Sequence, residues 1–433
     1  FTPPSLVRMI VNVIEPDHGT VLDPACGSAG MFVQTGHFIE EVRHKHTVDT
    51  DITFYGQEKA DLNSKLARMN LAVHGLEGQI RIGNTFYEDH HQLLGQCDFV
   101  MANPPFNVDG VQVAKIKSQV GDNQTGRLPF GLPGIATKTK GKNNGDGETI
   151  SNANSLWIQY FYSYLNEHGR AGFVMASSAT DSSRKDKTIR EALIQTGHVD
   201  VMISVANNFF YTKSLPCTLW FFDKGKSEAL QDKVLFIDGR NYYTVVDRTL
   251  NEWSDWQLKN LNAIVWLYRG ENDKYRELLA EYHTALESDD DFASIREALE
   301  KDIEAKRAEA KKAVEAAKKR EQKSIRAKFD EEIDALEETL TIAKEAIWLT
   351  EKFGEGVYAD IPGLCKIADR KTILEEKGAS LTPGAYVGVA PEEDDGVDFT
   401  ERMKEIHQEL LELQKESNEL MNTISKNMEE MGL

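Results

Sequence analysis

Short apolar runs rich in β-branched residues alternate with helix-length segments through the first 240 residues, and this alternation limits the possible folds most sharply. Candidate strands are 20–23, 53–58, 79–83, 97–102, 172–176, 199–205, 217–223 and 234–237. Candidate helices between them are 5–14, 31–42, 59–74, 156–165 and 187–196. Strand–helix alternation at this spacing predicts an α/β fold: a doubly wound, mostly parallel sheet with helices on both faces. Strands buried on both sides read as continuous apolar runs, as these do.

Two stretches depart from the pattern. Residues 107–153 are polar and rich in Gly, Asn and Lys, and include Lys138-Thr139-Lys140-Gly141-Lys142. They are expected to form one long loop, well beyond the ~15 residues of an ordinary connection. Residues 271–352 contain no Gly or Pro and are rich in Ala, Glu and Lys, as long helices are. Within them Ile333, Leu336, Leu340, Ala343 and Ile347 follow the 3-4 spacing of a coiled-coil seam. A second seam runs through Met403, Ile406, Leu410, Leu413, Leu420 and Ile424, with Ser417 in one core slot. The expected organisation is a first domain over 1–270, a helical arm over 271–352, and a segment over 353–433 ending in a helix for subunit contact.

Charge narrows the function. The 433 residues carry a net charge of −20. Residues 1–270 hold 26 basic and 29 acidic side chains, whereas residues 391–433 hold 4 and 13. A chain this acidic is a poor stand-alone ligand for a phosphate backbone, where Lys and Arg supply most of the affinity. A nucleic-acid substrate would therefore call for a basic partner chain. No run of about 18 apolar residues is present, so no membrane span is expected. Phe1-Thr2-Pro3-Pro4 lacks the features of a signal peptide and lacks a Met, so the chain is expected to begin inside a longer protein. Four widely spaced cysteines without a CxxC pair, and histidines without ligand spacing, predict neither a disulfide framework nor a metal site, and suit a cytoplasmic setting.

The chemistry-bearing residues fall at strand ends. Asp23-Pro24-Ala25-Cys26-Gly27-Ser28-Ala29-Gly30 joins a strand to a helix. A glycine-rich turn there lets a ligand approach the backbone at a helix N-terminus. Cys26 reads as a small packing residue within it. The next strand ends in Glu58, placed to take ribose hydroxyls. The third ends beside Asn84, whose amide suits an adenine edge. The fourth runs into Asn103-Pro104-Pro105-Phe106. Two prolines fix this backbone and contribute no N–H. The Asn103 amide oxygen and the Pro104 carbonyl can both accept from one exocyclic amino group, and Phe106 offers a face for a planar base.

Phe1-Thr2-Pro3, the 23–30 turn and the 103–106 segment, in this order, resemble the amino-group DNA methyltransferases in the gamma arrangement of N6-adenine enzymes. Three further segments are similar to the modification subunit of type I restriction–modification systems: Asn152-Ala153-Asn154-Ser155-Leu156-Trp157-Ile158-Gln159, the segment 215–222, and Thr382-Pro383-Gly384-Ala385-Tyr386-Val387-Gly388-Val389. The resemblance covers roughly residues 1–270 and 353–433. It implies a Rossmann-like fold that uses S-adenosylmethionine and no metal. Thr2, Pro3, Asp23, Ala25, Gly27, Ser28, Ala29 and Gly30 would meet the methionine end, Glu58 the ribose and Asn84 the adenine of that cofactor. Asn103, Pro104, Pro105 and Phe106 would form the catalytic segment, acting on an adenine flipped out of the duplex. The implied partners are double-stranded DNA, a specificity subunit, a second modification subunit and a restriction subunit. Methylation of a protein glutamine side chain is the alternative enzymatic reading, and a non-catalytic assembly subunit the alternative of another class.

Overall fold

Nine strands form one central sheet among the described residues. The computed structural model describes residues 2–45, 52–121, 126–137, 147–211, 215–318 and 321–390, together with Met403, His407, Leu410, Leu413, Gln414, Ser417, Asn418, Leu420 and Met421. The side chains of residues 41–45 fall outside the description.

The strands are β1 (Gly19–Asp23), β2 (Ile52–Glu58), β3 (Gly78–Ile82), β4 (Cys97–Ala102), β5 (Leu165–Ala176), β6 (Val199–Val205), β7 (Cys217–Asp223), β8 (Lys233–Asp238) and β9 (Cys365–Asp369). Their order across the sheet is β9-β8-β6-β7-β5-β4-β1-β2-β3. β7 runs antiparallel to β5 and β6, and β9 antiparallel to β8; the other pairs are parallel. The sheet is thus mostly parallel, as expected. The chain leaves β1 toward β2 and β3, then returns to β1's other side with β4. That reversal opens a crevice at the carboxyl ends of β1 and β4, where open α/β sheets bind ligands.

Alternation of side chains feeds two cores. Val201, Ile203 and Val205 of β6 enter one, with α1 (Pro4–Ile14) and α6 (Asp255–Arg269). Val199 and Met202 enter the other, with α4 (Asn154–Tyr164) and α5 (Lys185–Gln195). The other long helices of the first part are α2 (Gly30–Lys45) and α3 (Asp61–Val73). α1 begins on a proline, which loses no hydrogen bond in a first turn. A capping box between Ser254 and Gln257 starts α6, and Gly270, at φ 79°, ends it.

The structure differs from the sequence reading in four places. β5 begins at Leu165, ahead of the expected 172, because its first half carries Asn166, Glu167, His168 and Arg170 and shows no apolar run. Residues 107–153 are not a plain loop. Val111–Gln112, Glu148–Ile150 and Ile135–Thr137 pair into a three-stranded sheet, in segments too short to display a period. The Lys138–Lys142 run lies outside the described residues. Third, β9 returns to the main sheet, and Tyr386 stacks on Phe236 of β8 with ring centroids 3.8 Å apart. The chain accordingly divides into the units Phe1–Val389 and Ala390–Leu433, and the boundaries expected at 270 and 353 fall inside the first. Fourth, the 271–352 arm consists of α7 (Asn272–Leu286), α8 (Phe292–Ala316) and α9 (Gln322–Phe353). α8 and α9 form an antiparallel hairpin tied by Arg307–Glu337 and Lys306–Glu332 ion pairs. The buried face of α9 turns past Ala343 to Ala346, Leu349 and Phe353, leaving Ile347 half-buried. In the second unit Met403, Leu410, Leu413, Ser417 and Leu420 are helical and exposed, whereas Ile406 and Ile424 lie outside the described residues.

A charged network lies beneath β5–β8. Asp200 of β6 is 1% exposed and accepts from Arg269 Nη2 at 2.8 Å, with Lys226 Nζ at 3.8 Å. Arg170 Nε donates to Asp223 at 3.0 Å. Burial opposes ionisation of Asp200, but the Arg269 and Lys226 cations outweigh it and hold its carboxyl below the ordinary value. No described helix is long and apolar enough to cross a membrane.

Candidate active site at the switch point

β1 delivers Asp23 to the crevice almost fully buried, at 2% exposed. Asp23 Oδ1 accepts from Ala25 N at 2.9 Å, and no cation among the described residues pairs with the carboxyl. Burial therefore pushes it up to about 8, reinforced by the Glu58 charge and only partly offset by the Ala25 N–H. The turn that follows uses left-handed backbone at Gly27 (φ 55°) and Ala29 (φ 65°). Nothing lies within 4 Å of where a Cβ would stand at Gly27 or Gly30, so the turn faces open space at the start of α2. Cys26 packs beneath it against Gly56, where a Cβ would come within 2.8 Å of its Sγ. Burial and the neighbouring carboxylates push that thiol up.

Glu58 fastens the turn to the next strand. Its Oε2 accepts from Gly27 N at 3.0 Å and its Oε1 from Ala60 N at 2.8 Å. The segment after β3 is held in parallel fashion. Thr85 Oγ1 donates to Pro24 O at 2.5 Å, and Gln57 Nε2 donates to Thr85 Oγ1 at 3.0 Å. The 107–153 insertion braces this wall from behind. Arg127 Nη2 donates to Thr85 O at 2.8 Å and Gln119 Nε2 to Phe86 O at 2.7 Å. From β4, Asn103 Nδ2 donates to Thr2 Oγ1 at 3.0 Å, which leaves Asn103 Oδ1 as an acceptor.

Two cavities meet at Ala25. One of about 320 Å³ is lined by Thr2, Asp23, Ala25, Gly27, Ser28, Gly30 and Asn103. The other, of about 680 Å³, is lined by Ala25, Glu58, Asn84 and Pro105. Such volumes suit an extended small ligand. Of the residues singled out from sequence, Pro3, Ala29, Pro104 and Phe106 line neither cavity. The Pro3 carbonyl starts α1 by accepting from Leu6 N and Val7 N. Ala29 and Pro104 are buried, and Phe106 packs edge-on against Phe210 at 6.4 Å. Gln34 and Asn63 in the first cavity, and Phe86, Val108 and Trp157 in the second, were not anticipated. Phe86 stands two residues past Asn84, a signal that could have found it. Trp157 sits on α4 and comes close only through the fold.

A mostly parallel sheet with its switch-point crevice, a buried carboxyl with no cation beside it among the described residues, and an Asn-Pro-Pro-Phe strand end mark an α/β protein built to bind a small ligand. Residues 1–289 match the N-6 DNA methylase family, and the chain belongs to it. Among curated relatives, the chain is similar to the type I restriction enzyme MjaIX methylase subunit of Methanocaldococcus jannaschii, 28% identical over 100% of this chain and 59% of that protein. It is also 28% identical to the HindI methylase subunit of Haemophilus influenzae, over 100% of this chain and 73% of that one. The chain thus spans about three-fifths of the length of the first of these. The crystal structure of a type I restriction–modification methyltransferase subunit from Streptococcus thermophilus shares the fold, with a TM-score of 0.54 at 16% identity over 90% of this chain and 59% of that one.

Proposed function

We propose that this chain is the DNA N6-adenine methyltransferase subunit of a type I restriction–modification complex, working in the cytoplasm. The observation that carries the proposal is Asn103, at the end of β4, with its amide nitrogen committed to Thr2 and its oxygen left to accept, beside a cavity that contains an uncompensated carboxylate.

The residues fit S-adenosylmethionine. The buried Asp23 carboxyl has no cation beside it among the described residues, and the open face over Gly27 and Gly30 would admit a ligand against the backbone. Thr2, Pro3, Asp23, Ala25, Gly27, Ser28, Ala29 and Gly30 would hold the methionine end, Glu58 the ribose and Asn84 the adenine. When bound, that cofactor supplies an electrophilic methyl group.

The chain's own part is positioning. Asn103 Oδ1 and the Pro104 carbonyl accept the two N–H groups of the target amino group, which directs the nitrogen lone pair away from the ring. Pro104 and Pro105 keep that backbone rigid, so little reorganisation is needed at the moment of transfer. Phe106 stacks on the flipped base, worth about 1–3 kcal/mol in comparable contacts. The acidic balance of the chain supports assignment of most DNA contacts to a specificity subunit. A second copy of this chain and a restriction subunit complete the proposed complex.

The test is to sequence DNA from a methylation-free host that expresses the full-length protein with its specificity partner, using a method that reads N6-methyladenine. Methyladenine at one motif, lost with Asn103→Ala, is the expected result. Its absence in cells whose protein binds S-adenosylmethionine would overturn the proposal.

A further inference from the structure

We propose that Asn107, Asn152 and Asn154 form a latch that positions the 103–106 segment for methyl transfer, an inference that rests on the methyltransferase reading above. Asn107 follows Phe106 directly and takes a left-handed conformation at φ 54°, which Asn tolerates better than most residues. Its backbone N donates to Asn154 Oδ1 at 2.9 Å. Its side-chain Oδ1 accepts from Asn152 Nδ2 and from Asn154 Nδ2, both at 2.9 Å. Asn154 N in turn donates to Asn152 Oδ1 at 2.9 Å.

These bonds leave no freedom in how the amides point. Backbone N–H groups can be accepted only by the oxygens of Asn152 and Asn154, so both residues must turn their NH2 groups toward Asn107. Asn107 must then meet them with its oxygen. Asn154 is 5% exposed and is the first residue of α4, so the latch is anchored in a buried helix. One bond beyond it, Ala153 N donates to Val108 O at 2.8 Å. Upstream, the segment is held by the Asn103–Thr2 bond. Between these ends Pro104 and Pro105 have no N–H with which to anchor themselves. The latch is therefore the downstream hold on the Pro104 carbonyl and the Phe106 ring. Asn107, Asn152 and Asn154 are positioning residues, acting through Asn103, Pro104 and Phe106.

The amide geometry provides nearly isosteric variants with opposite outcomes. Asn107→Asp keeps an acceptor facing both NH2 groups and leaves the latch closed. Asn154→Asp keeps the bond from Asn107 N but turns a second oxygen toward Asn107 Oδ1, which opens the latch.

The experiment uses the full-length protein in its complex, with duplex DNA carrying the site methylated in cells. It measures single-turnover methyl transfer at saturating S-adenosylmethionine, cofactor affinity, and hydrogen–deuterium exchange of a peptide spanning 103–110. Asn154→Asp should lose about 10–100-fold in transfer rate at pH 8, the scale of a small misplacement of reacting groups. It should bind cofactor as wild type does. Asn107→Asp should stay close to wild type. The 103–110 peptide should exchange faster in Asn154→Asp, with the 23–30 peptide unchanged. Wild-type transfer and exchange in Asn154→Asp, or loss of cofactor affinity together with rate, would overturn the latch. If wild-type protein transfers no methyl group to adenine, the methyltransferase reading fails instead, and exchange at 103–110 still decides the latch.

Discussion

Asp23 and Asp200 are both buried in the same sheet, at 2% and 1% exposed, yet their carboxyls are shifted in opposite directions. Asp200 has Arg269 and Lys226 beside it and sits below its ordinary value; Asp23 has no cation beside it among the described residues and is pushed up to about 8. Burial alone opposes both charges equally, so the neighbours make the difference. A buried carboxylate supplied with cations by its own chain is part of the framework. One left without them among the described residues, lining a cavity, has a charge that only a further partner could balance.

The largest effect should come from breaking the framework side. Asp200→Ala takes from two buried cations, Arg269 and Lys226, their nearest carboxylate and should cost about 3–5 kcal/mol in urea denaturation. A loss below about 1 kcal/mol would mean that the network is not truly desolvated.

Next in size, Asp23→Asn should weaken S-adenosylmethionine binding by about 10–100-fold, the loss of a charge-assisted contact of roughly 1.5–3 kcal/mol. Its folding stability near pH 7 should not fall, since Asp23 forms no ion pair among the described residues. A variant with normal cofactor affinity would remove Asp23 from the site.

The pH dependences should then oppose one another. Between its ordinary value of 3.8 and about 8, Asp23 is protonated in the folded protein and ionised in the unfolded one. The folded state binds more protons in that window, so this group's contribution to stability is lost as pH rises through it. Asp200 is the reverse: its contribution is present above the ordinary carboxylate value and is lost as pH falls through its lowered folded value. Stability curves of Asp23→Asn should be flatter from pH 5 to 8, and those of Asp200→Ala flatter below pH 4. Cofactor binding near pH 7 should also release a proton from Asp23, measurable by calorimetry in buffers of different ionisation enthalpy. No release would mean that Asp23 stays neutral in the complex.

The smallest effect belongs to Glu58→Gln. Its amide oxygen can satisfy only one of the two N–H groups that the carboxylate now serves, at Gly27 and Ala60. Loss of one bond should weaken cofactor binding by about 5–10-fold, or roughly 1 kcal/mol.

Much of this could be read before any coordinates. β4, β6 and β7 fall at the expected residues because strands buried on both faces are written as unbroken apolar runs. Asp23, Glu58, Asn84 and Asn103 could be grouped because successive parallel strands end at one edge, so sequence order becomes spatial order. What escaped detection depends on contacts between distant residues. β9 is short and alternates Cys, Lys, Ile, Ala and Asp, so only its pairing with β8 marks it as a strand. The meeting of Asn107 with Asn152 and Asn154 spans the whole insertion, and no periodicity reports it. Arg127 reads as one more charge in a polar stretch, yet it is 8% exposed beneath the Thr85 wall.

The late arrival of β9 has a consequence for synthesis. β8 ends at Asp238 and its neighbour begins only at Cys365, with α6, α7 and the whole α8–α9 hairpin in between. At roughly 5–20 residues per second on the ribosome, the edge of β8 waits on the order of ten seconds for its partner. Through that interval the nascent sheet presents an unpaired row of backbone donors and acceptors, the kind of edge on which chains join wrongly.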